Sequence, residues 1–153
     1  MKLVRLWKED IVKSFEQLKL RARNCHIMLV RIDPDLDMVF ICGNFGYTSM
    51  PFAFGVLTRA LSRVCDRRLR GRALWYCDDA MGAGSESEAV QDQIRTQKLI
   101  VNVFGPGGWS EEKSVKHSTT AELIGWYVDT TLGTVRPNDK GVRKTLLRTF
   151  ITG

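Results

Sequence analysis

The sequence predicts an α+β fold of the ferredoxin-like, split βαβ kind: an antiparallel sheet backed by two main helices. Three observations predict it. Short apolar runs rich in β-branched and aromatic residues alternate with two long stretches of helical periodicity. Their order is strand, helix, strand hairpin, helix, strand, with extra strands inserted after the first turn. The chain has 153 residues, 44% hydrophobic and 26% charged, which is room and composition for one packed core.

Each element has a local cause. Residues 3–10 read as a short strand that ends on an acid. Residues 12–20 read as a brief helical turn with Phe15 and Leu18 facing inward. Two β-branched stretches, 26–32 and 38–42, are separated by Asp33, Pro34 and Asp35, the punctuation of a hairpin. Pro51 stands where a helix can begin, because a first turn does not need its missing N–H. Phe54, Leu57, Leu61 and Val64 or Cys65 then recur at helical spacing as far as about Leu69, and Gly71 is expected to cap the end. Residues 73–77 form a compact strand, and small residues 80–84 its return. Ser85 and Glu88 have capping-box spacing for a second helix reaching about Val103. A Gly-Pro-Gly-Gly loop follows, then extended stretches 114–119 and 122–129, a turn near Gly133, and a last helix opened by Asn138 and Asp139.

Composition excludes several classes. No apolar run approaches the roughly 20 residues that cross a bilayer, and the N-terminus carries acids where a secretory signal needs an apolar block. Cys25, Cys42, Cys65 and Cys77 are widely spaced with no C-x-x-C pair, so reduced thiols in a cytoplasmic or nuclear protein are expected. Lysine and arginine number 23 against 17 acids, a net +6 that favours a polyanionic partner, nucleic acid before membrane. Asp33, Asp35 and Asp37 imitate the opening of a calcium loop, but Met38 stands where the loop needs glycine. The glycine loop at 105–108 lacks the lysine of a P-loop, and neither His26 nor His117 has a partner at metal-ligand spacing.

The chemistry-bearing pattern is three aspartates. Asp10 ends the first strand, and Asp78 and Asp79 stand at the tip of the central hairpin. In a split βαβ sheet those strands are neighbours, so the carboxylates can converge on one edge. Clustered carboxylates repel one another, and a divalent cation reverses that cost. Hard oxygen donors favour magnesium, and two such ions would stabilise both the attacking and leaving oxygens of an in-line phosphoryl displacement. As a bare dipeptide, Asp-Asp equally marks a polar hairpin turn.

The surroundings carry a resemblance. Tyr76-Cys77-Asp78-Asp79 resembles the Y-x-D-D box of reverse transcriptases, with an apolar strand before it and small residues after it. Asp10-Ile11-Val12-Lys13-Ser14-Phe15 is similar to that family's first catalytic box. Met50-Pro51-Phe52-Ala53-Phe54-Gly55 looks like its next box, Lys113 falls where the family keeps a lysine, and Leu123-Ile124-Gly125-Trp126 resembles the primer-grip hairpin. The boxes occur in family order over residues 3 to about 136, and the closest flavour is a retrotransposon enzyme. The resemblance implies a palm over residues 1–136 and the start of a thumb-like helix over 137–153.

The same resemblance assigns roles. Asp10, Asp78 and Asp79 would hold two magnesium ions, for which manganese can substitute. Phe15 would bar a 2′-hydroxyl on the incoming nucleotide, unless it is a plain core residue. Phe52 and Ala53 would line the nucleotide pocket, with Tyr76 and Cys77 supporting the nucleotide and primer end. Lys113 would protonate the leaving pyrophosphate, or be an ordinary surface lysine. Trp126 would hold the primer, or simply pack. Arg59, Arg63 and Arg67, four residues apart, would track template phosphates or form a solvated face. Partners would be a primer-template of RNA or DNA, a deoxynucleotide, and the fingers, thumb and ribonuclease H segments of a parent polyprotein. Two departures stand out: Ala53 replaces a common glycine, and most of the fingers is missing. The implied activity is RNA-directed DNA polymerisation; a non-catalytic, nucleic-acid-binding remnant of a decayed retroelement is the competing expectation.

Overall fold

A computed structural model describes residues 3–44 and 49–138 of the chain. Of the expected thumb-like segment 137–153, Pro137 ends a strand, and the stretch 139–153 that would form the final helix lies outside the described residues. The centre of the molecule is a four-stranded antiparallel sheet in the order β4-β5-β1-β6, formed by β1 (Arg5–Asp10), β4 (Arg72–Tyr76), β5 (Asp79–Gly84) and β6 (Val115–Ser118). Helices α1 (Ser49–Arg68) and α2 (Glu86–Phe104) provide the two crossovers, which makes the expected split βαβ unit.

Alternation along β1 sets the layers. Trp7, Glu9 and Ile11 face the helices, while Lys8 and Asp10 face the other way. Trp7 is 1% exposed and packs with Ala80 and Ala89; Ile11, Phe54, Leu61 and Ile100 form the second cluster. The Trp7 indole lies directly over Gly82, where a Cβ would come within 2.3 Å of its ring. The helical spacing in α1 is honoured, with Phe54, Thr58, Leu61 and Cys65 buried along one stripe. In α2 the Ser85–Glu88 capping box forms as expected, with Glu88 accepting from the Ser85 N–H at 2.9 Å.

Gly71 does not act as a left-handed cap, since positive φ among the described glycines belongs to Gly105, Gly125 and Gly133. The end of α1 is closed instead by Asp92 of α2, 1% exposed, whose carboxylate accepts the N–H groups of Arg70 at 3.0 Å and Gly71 at 2.7 Å. Glycine fits there because a Cβ would meet the Ala83 carbonyl at 2.5 Å and the Asp92 carboxylate at 3.2 Å.

Two smaller sheets complete the molecule. Strands β2 (Leu29–Asp33) and β3 (Leu36–Val39) form the expected hairpin with shifted bounds, since residues 26–28 belong to a 3₁₀ helix (Ala22–Met28) and 40–42 lie beyond β3. The extended stretch expected over 122–129 is broken by a turn at Ile124 and Gly125, so that β7 (Thr120–Leu123) and β8 (Trp126–Asp129) pair as a hairpin. A further strand, β9 (Thr134–Pro137), follows Gly133 and pairs with β8. No helix among the described residues is long and apolar enough to cross a membrane.

Candidate active site

The register of the central sheet brings the acids together. Asp10 is the direct antiparallel partner of Asp79, and Asp79 is also the partner of Tyr76 across the tip of the β4–β5 hairpin. Directly paired residues have Cα atoms about 4.5–5.5 Å apart. The Asp78 carbonyl accepts the Ile11 N–H at 3.0 Å, which ties the hairpin tip to the end of β1. A two-residue turn, Cys77-Asp78, makes the reversal, and Cys77 takes a left-handed φ of 50°. A non-glycine residue there costs roughly 1–2 kcal/mol, strain of the sort that gathers where geometry matters more than stability.

Each of two acids is met by a lysine. Lys113 Nζ donates to Asp10 Oδ1 at 3.0 Å, and Asp10 itself is only 5% exposed. The Asp10 carboxylate, by hydrogen bond and by charge, pushes the Lys113 ammonium above its usual range. Lys8, two residues before Asp10 on the same face, stands 2.9 Å from Asp79 Oδ1. Among the described residues no other donor reaches that buried oxygen. Burial raises the Asp79 carboxyl above the ordinary carboxylate range; the charges of Asp78 and Asp10 push the same way, and Lys8 opposes them. Asp78 is half-buried between them with no ion pair among the described residues. Among those residues no three acidic, histidine or cysteine side chains form a ready-made metal cage. Carboxylate oxygens are the donors that a hard cation takes, and Asp10 and Asp79 stand directly paired at one end of the two central strands.

The remaining expected residues divide into near and far. Tyr76 and Cys77 are exposed at the hairpin tip beside the acids. Phe15 lies in a 3₁₀ turn (Ser14–Gln17) after β1, half-buried, with its ring edge-on to Phe54 at 5.8 Å between centroids. Its packing is that of a core residue. Phe52 and Ala53 are exposed on the first turns of α1. Arg59, Arg63 and Arg67 are all exposed, and their spacing puts them on the side of α1 opposite its buried stripe. Because α1 packs on the sheet face away from Lys8 and Asp10, the arginine ladder is not gathered with the acids. Trp126 is half exposed at the start of β8, following an Ile124-Gly125 turn in which both residues have positive φ.

Three participants escaped the sequence reading. Lys8 had a period-two signal, since it shares a strand face with Asp10. Glu9 had the opposite signal, an acid on the Trp7 and Ile11 face. It is 0% exposed, and its carboxylate accepts from Gln93 Nε2 at 2.6 Å, Gln97 Nε2 at 2.9 Å, Ser114 Oγ at 2.8 Å and Trp109 Nε1. Asp92 carried no signal, because the N–H groups that it receives are set by the path of the chain after α1.

No protein-family model matches the chain, and no curated protein matches it. Solved structures do. A foamy viral protease-reverse transcriptase bound to double-stranded DNA superposes with a TM-score of 0.70 at 13% identity, over 92% of this chain and 23% of that one. The same kind of enzyme with an RNA/DNA hybrid gives 0.65 at 13%, over 89% and 17%. Apo telomerase from Candida tropicalis gives 0.63 at 12%, over 90% and 36%. The fold is therefore of the reverse-transcriptase type, a nucleic-acid polymerase-like α+β architecture. The chain spans about a sixth to a third of the length of these neighbours.

Proposed function

We propose that this chain is the palm of a retrotransposon reverse transcriptase, a nucleotidyltransferase domain working in the cytoplasm or nucleus. The observation that carries the reading is the pairing of Asp10 with Asp79 beside Asp78, on a fold shared with reverse transcriptases. Asp10, Asp78 and Asp79 would hold divalent magnesium, with manganese able to substitute. Bound there, the metals would activate the primer 3′-hydroxyl and neutralise charge on the transferring phosphoryl group. Lys113, whose ammonium is held above its usual range by Asp10 and whose side chain is 63% exposed, would give its proton to the departing pyrophosphate. Tyr76 and Cys77 would support the primer end and deoxynucleotide. Phe15 would lie against the nucleotide sugar, Phe52 and Ala53 along the nucleotide pocket, and Trp126 on the primer strand. Arg59, Arg63 and Arg67 would contact nucleic acid on a second surface.

The test is primer extension by this palm joined to fingers and thumb from a full-length element, supplied with primer-template, deoxynucleotides and magnesium. Asp78→Asn should abolish extension, at least 100-fold, while primer-template binding persists. A wild-type chimera that binds primer-template but extends nothing would overturn the catalytic reading.

One observation favours a second reading. The two lysines sit on Asp79 and Asp10, at 2.9 Å and 3.0 Å, and partly neutralise the acids without a metal. A non-catalytic remnant that binds nucleic acid through its basic surface would keep that arrangement permanently. It predicts steeply salt-dependent binding with no extension.

A further inference from the structure

We propose that Glu9 is a positioning residue that holds Lys113 on Asp10. Its catalytic meaning rests on the polymerase reading above, but its geometry does not. Glu9 and Asp10 are consecutive in β1 with side chains on opposite faces of the sheet, and Lys113 and Ser114 are consecutive in the segment that runs into β6. Two contacts join the two dipeptides. Ser114 Oγ donates to Glu9 Oε1 at 2.8 Å, and Lys113 Nζ donates to Asp10 Oδ1 at 3.0 Å. Both contacts are partly buried, but the first ends on Glu9, which is 0% exposed, and the second starts from a lysine whose side chain is 63% exposed, so the more sheltered contact limits where the other can form.

The rest of the Glu9 cage immobilises that anchor. Gln93 and Gln97, one turn apart on α2, both donate to the oxygen that Ser114 uses, and the Trp109 indole N–H serves the other. Gln93 Nε2 also reaches Ser114 Oγ at 3.2 Å and the Val115 carbonyl at 3.0 Å, so the helix grips the loop and the strand acid together. One carboxylate thus joins three segments: β1, α2 and the 109–114 loop. A carboxylate buried among neutral donors contributes little stability relative to a well-packed apolar group, and losing a partner is costly. Apolar packing alone would hold β1 on α2, yet it would not set the lateral position of Ser114, and with it Lys113, to within a hydrogen bond. Backbone bonds also hold this segment, with Val12 N–H to the Gly108 carbonyl at 2.9 Å, Ser114 N–H to the Glu111 carbonyl at 3.1 Å and Lys8 paired with Val115, and the Glu9 contact adds a side-chain fix on Ser114 itself.

Carbodiimide cross-linking of the full chain tests this without requiring activity. The reagent activates the Asp10 carboxyl, the Lys113 amine attacks it, an amide forms and the reagent leaves as its urea. The Lys113–Asp10 product is counted by mass spectrometry of proteolytic fragments, with Lys8–Asp79 as the internal reference. Glu9→Gln should lower the Lys113–Asp10 yield several-fold relative to the reference, with far-ultraviolet circular dichroism unchanged. Should that variant not fold, Ser114→Ala removes only the link to the loop and should lower the yield by at least two-fold. An unchanged relative yield in the folded variants would overturn the proposal, whatever the extension assay shows. A lowered yield with an inactive wild-type chimera would leave Glu9 a positioning residue and refute only the polymerase reading.

Discussion

The two hairpins β4–β5 and β2–β3 look alike as sequence and are treated oppositely by the fold. Both are pairs of short apolar strands joined by two polar or small residues. β4–β5 belongs to a four-stranded sheet, β4 at its edge, with Ala73, Trp75 and Ala80 turned to the helices. In β2–β3 every residue from Leu29 to Val39 is exposed, including Leu29, Val30, Ile32, Leu36, Met38 and Val39. Its conspicuous side-chain link is the Arg31–Asp37 pair, two parallel contacts of 2.9 and 3.2 Å between directly opposed residues. A salt bridge this exposed contributes little. Apolar alternation therefore announces a strand, not its burial; burial depends on which elements the topology places above it.

The largest test of that contrast is truncation of one apolar residue in each sheet, Trp7 of β1 beside β5 and Val30 of β2. Trp7→Ala should cost about 3–5 kcal/mol, because the indole fills the space over Gly82 and between β5 and α2. Val30→Ala in the exposed hairpin should change stability by less than about 0.5 kcal/mol. Urea unfolding of the two variants reads both. Equal losses would mean that β2–β3 has a packed face in solution, and the comparison would fail.

How much of this was legible follows from the same physics. Helix bounds came through because α1 carries four buried positions at helical spacing and α2 five, together with a capping box. The hairpin of Tyr76 to Asp79 was legible from its small and polar tip, and the neighbouring strands followed from the topology. The pairing of Asp10 with Asp79 was expected only as a convergence, since register depends on contacts between strands far apart in sequence. Gly71 misled because glycine after a helix has two uses, positive φ and close approach, and here the Asp92 carboxylate required the second. The arginine ladder showed its spacing but not its direction, because a helix face has no address until its core stripe is docked. Glu9 was the clearest omission: an acid on an apolar strand face needs donors, and Gln93 with Gln97 were the pair able to supply them.

A smaller test separates the hairpins at their turns. The Cys77 turn holds a non-glycine residue at a φ of 50°, whereas positive φ is confined elsewhere among the described non-glycine residues to Lys13 and Ile124, so the Pro34-Asp35 turn carries no such strain. Cys77→Gly should raise stability by about 0.5–1 kcal/mol, the left-handed penalty less glycine's entropic cost. Thermal unfolding checks the sign. A loss of stability would mean that the exposed thiol makes contacts worth more than the strain.

The smallest expected effect concerns Asp79, and its sign follows from the direction of the shift. Burial raises the folded-state carboxyl above its ordinary 3.8, so the native state holds that proton more tightly than the unfolded chain does. The resulting stability is fully present below about pH 4 and is lost as pH rises through the folded value. Asp79→Asn removes this loss but also removes the partner of Lys8, 2.9 Å away, so the net change near neutrality is small. What distinguishes the two terms is slope. Relative to wild type, the Asn variant should gain stability steadily from below pH 4 toward neutrality. Parallel pH profiles for wild type and Asp79→Asn would mean that this carboxyl is hydrated as in the unfolded chain, and that the tip of the central hairpin does not shelter it.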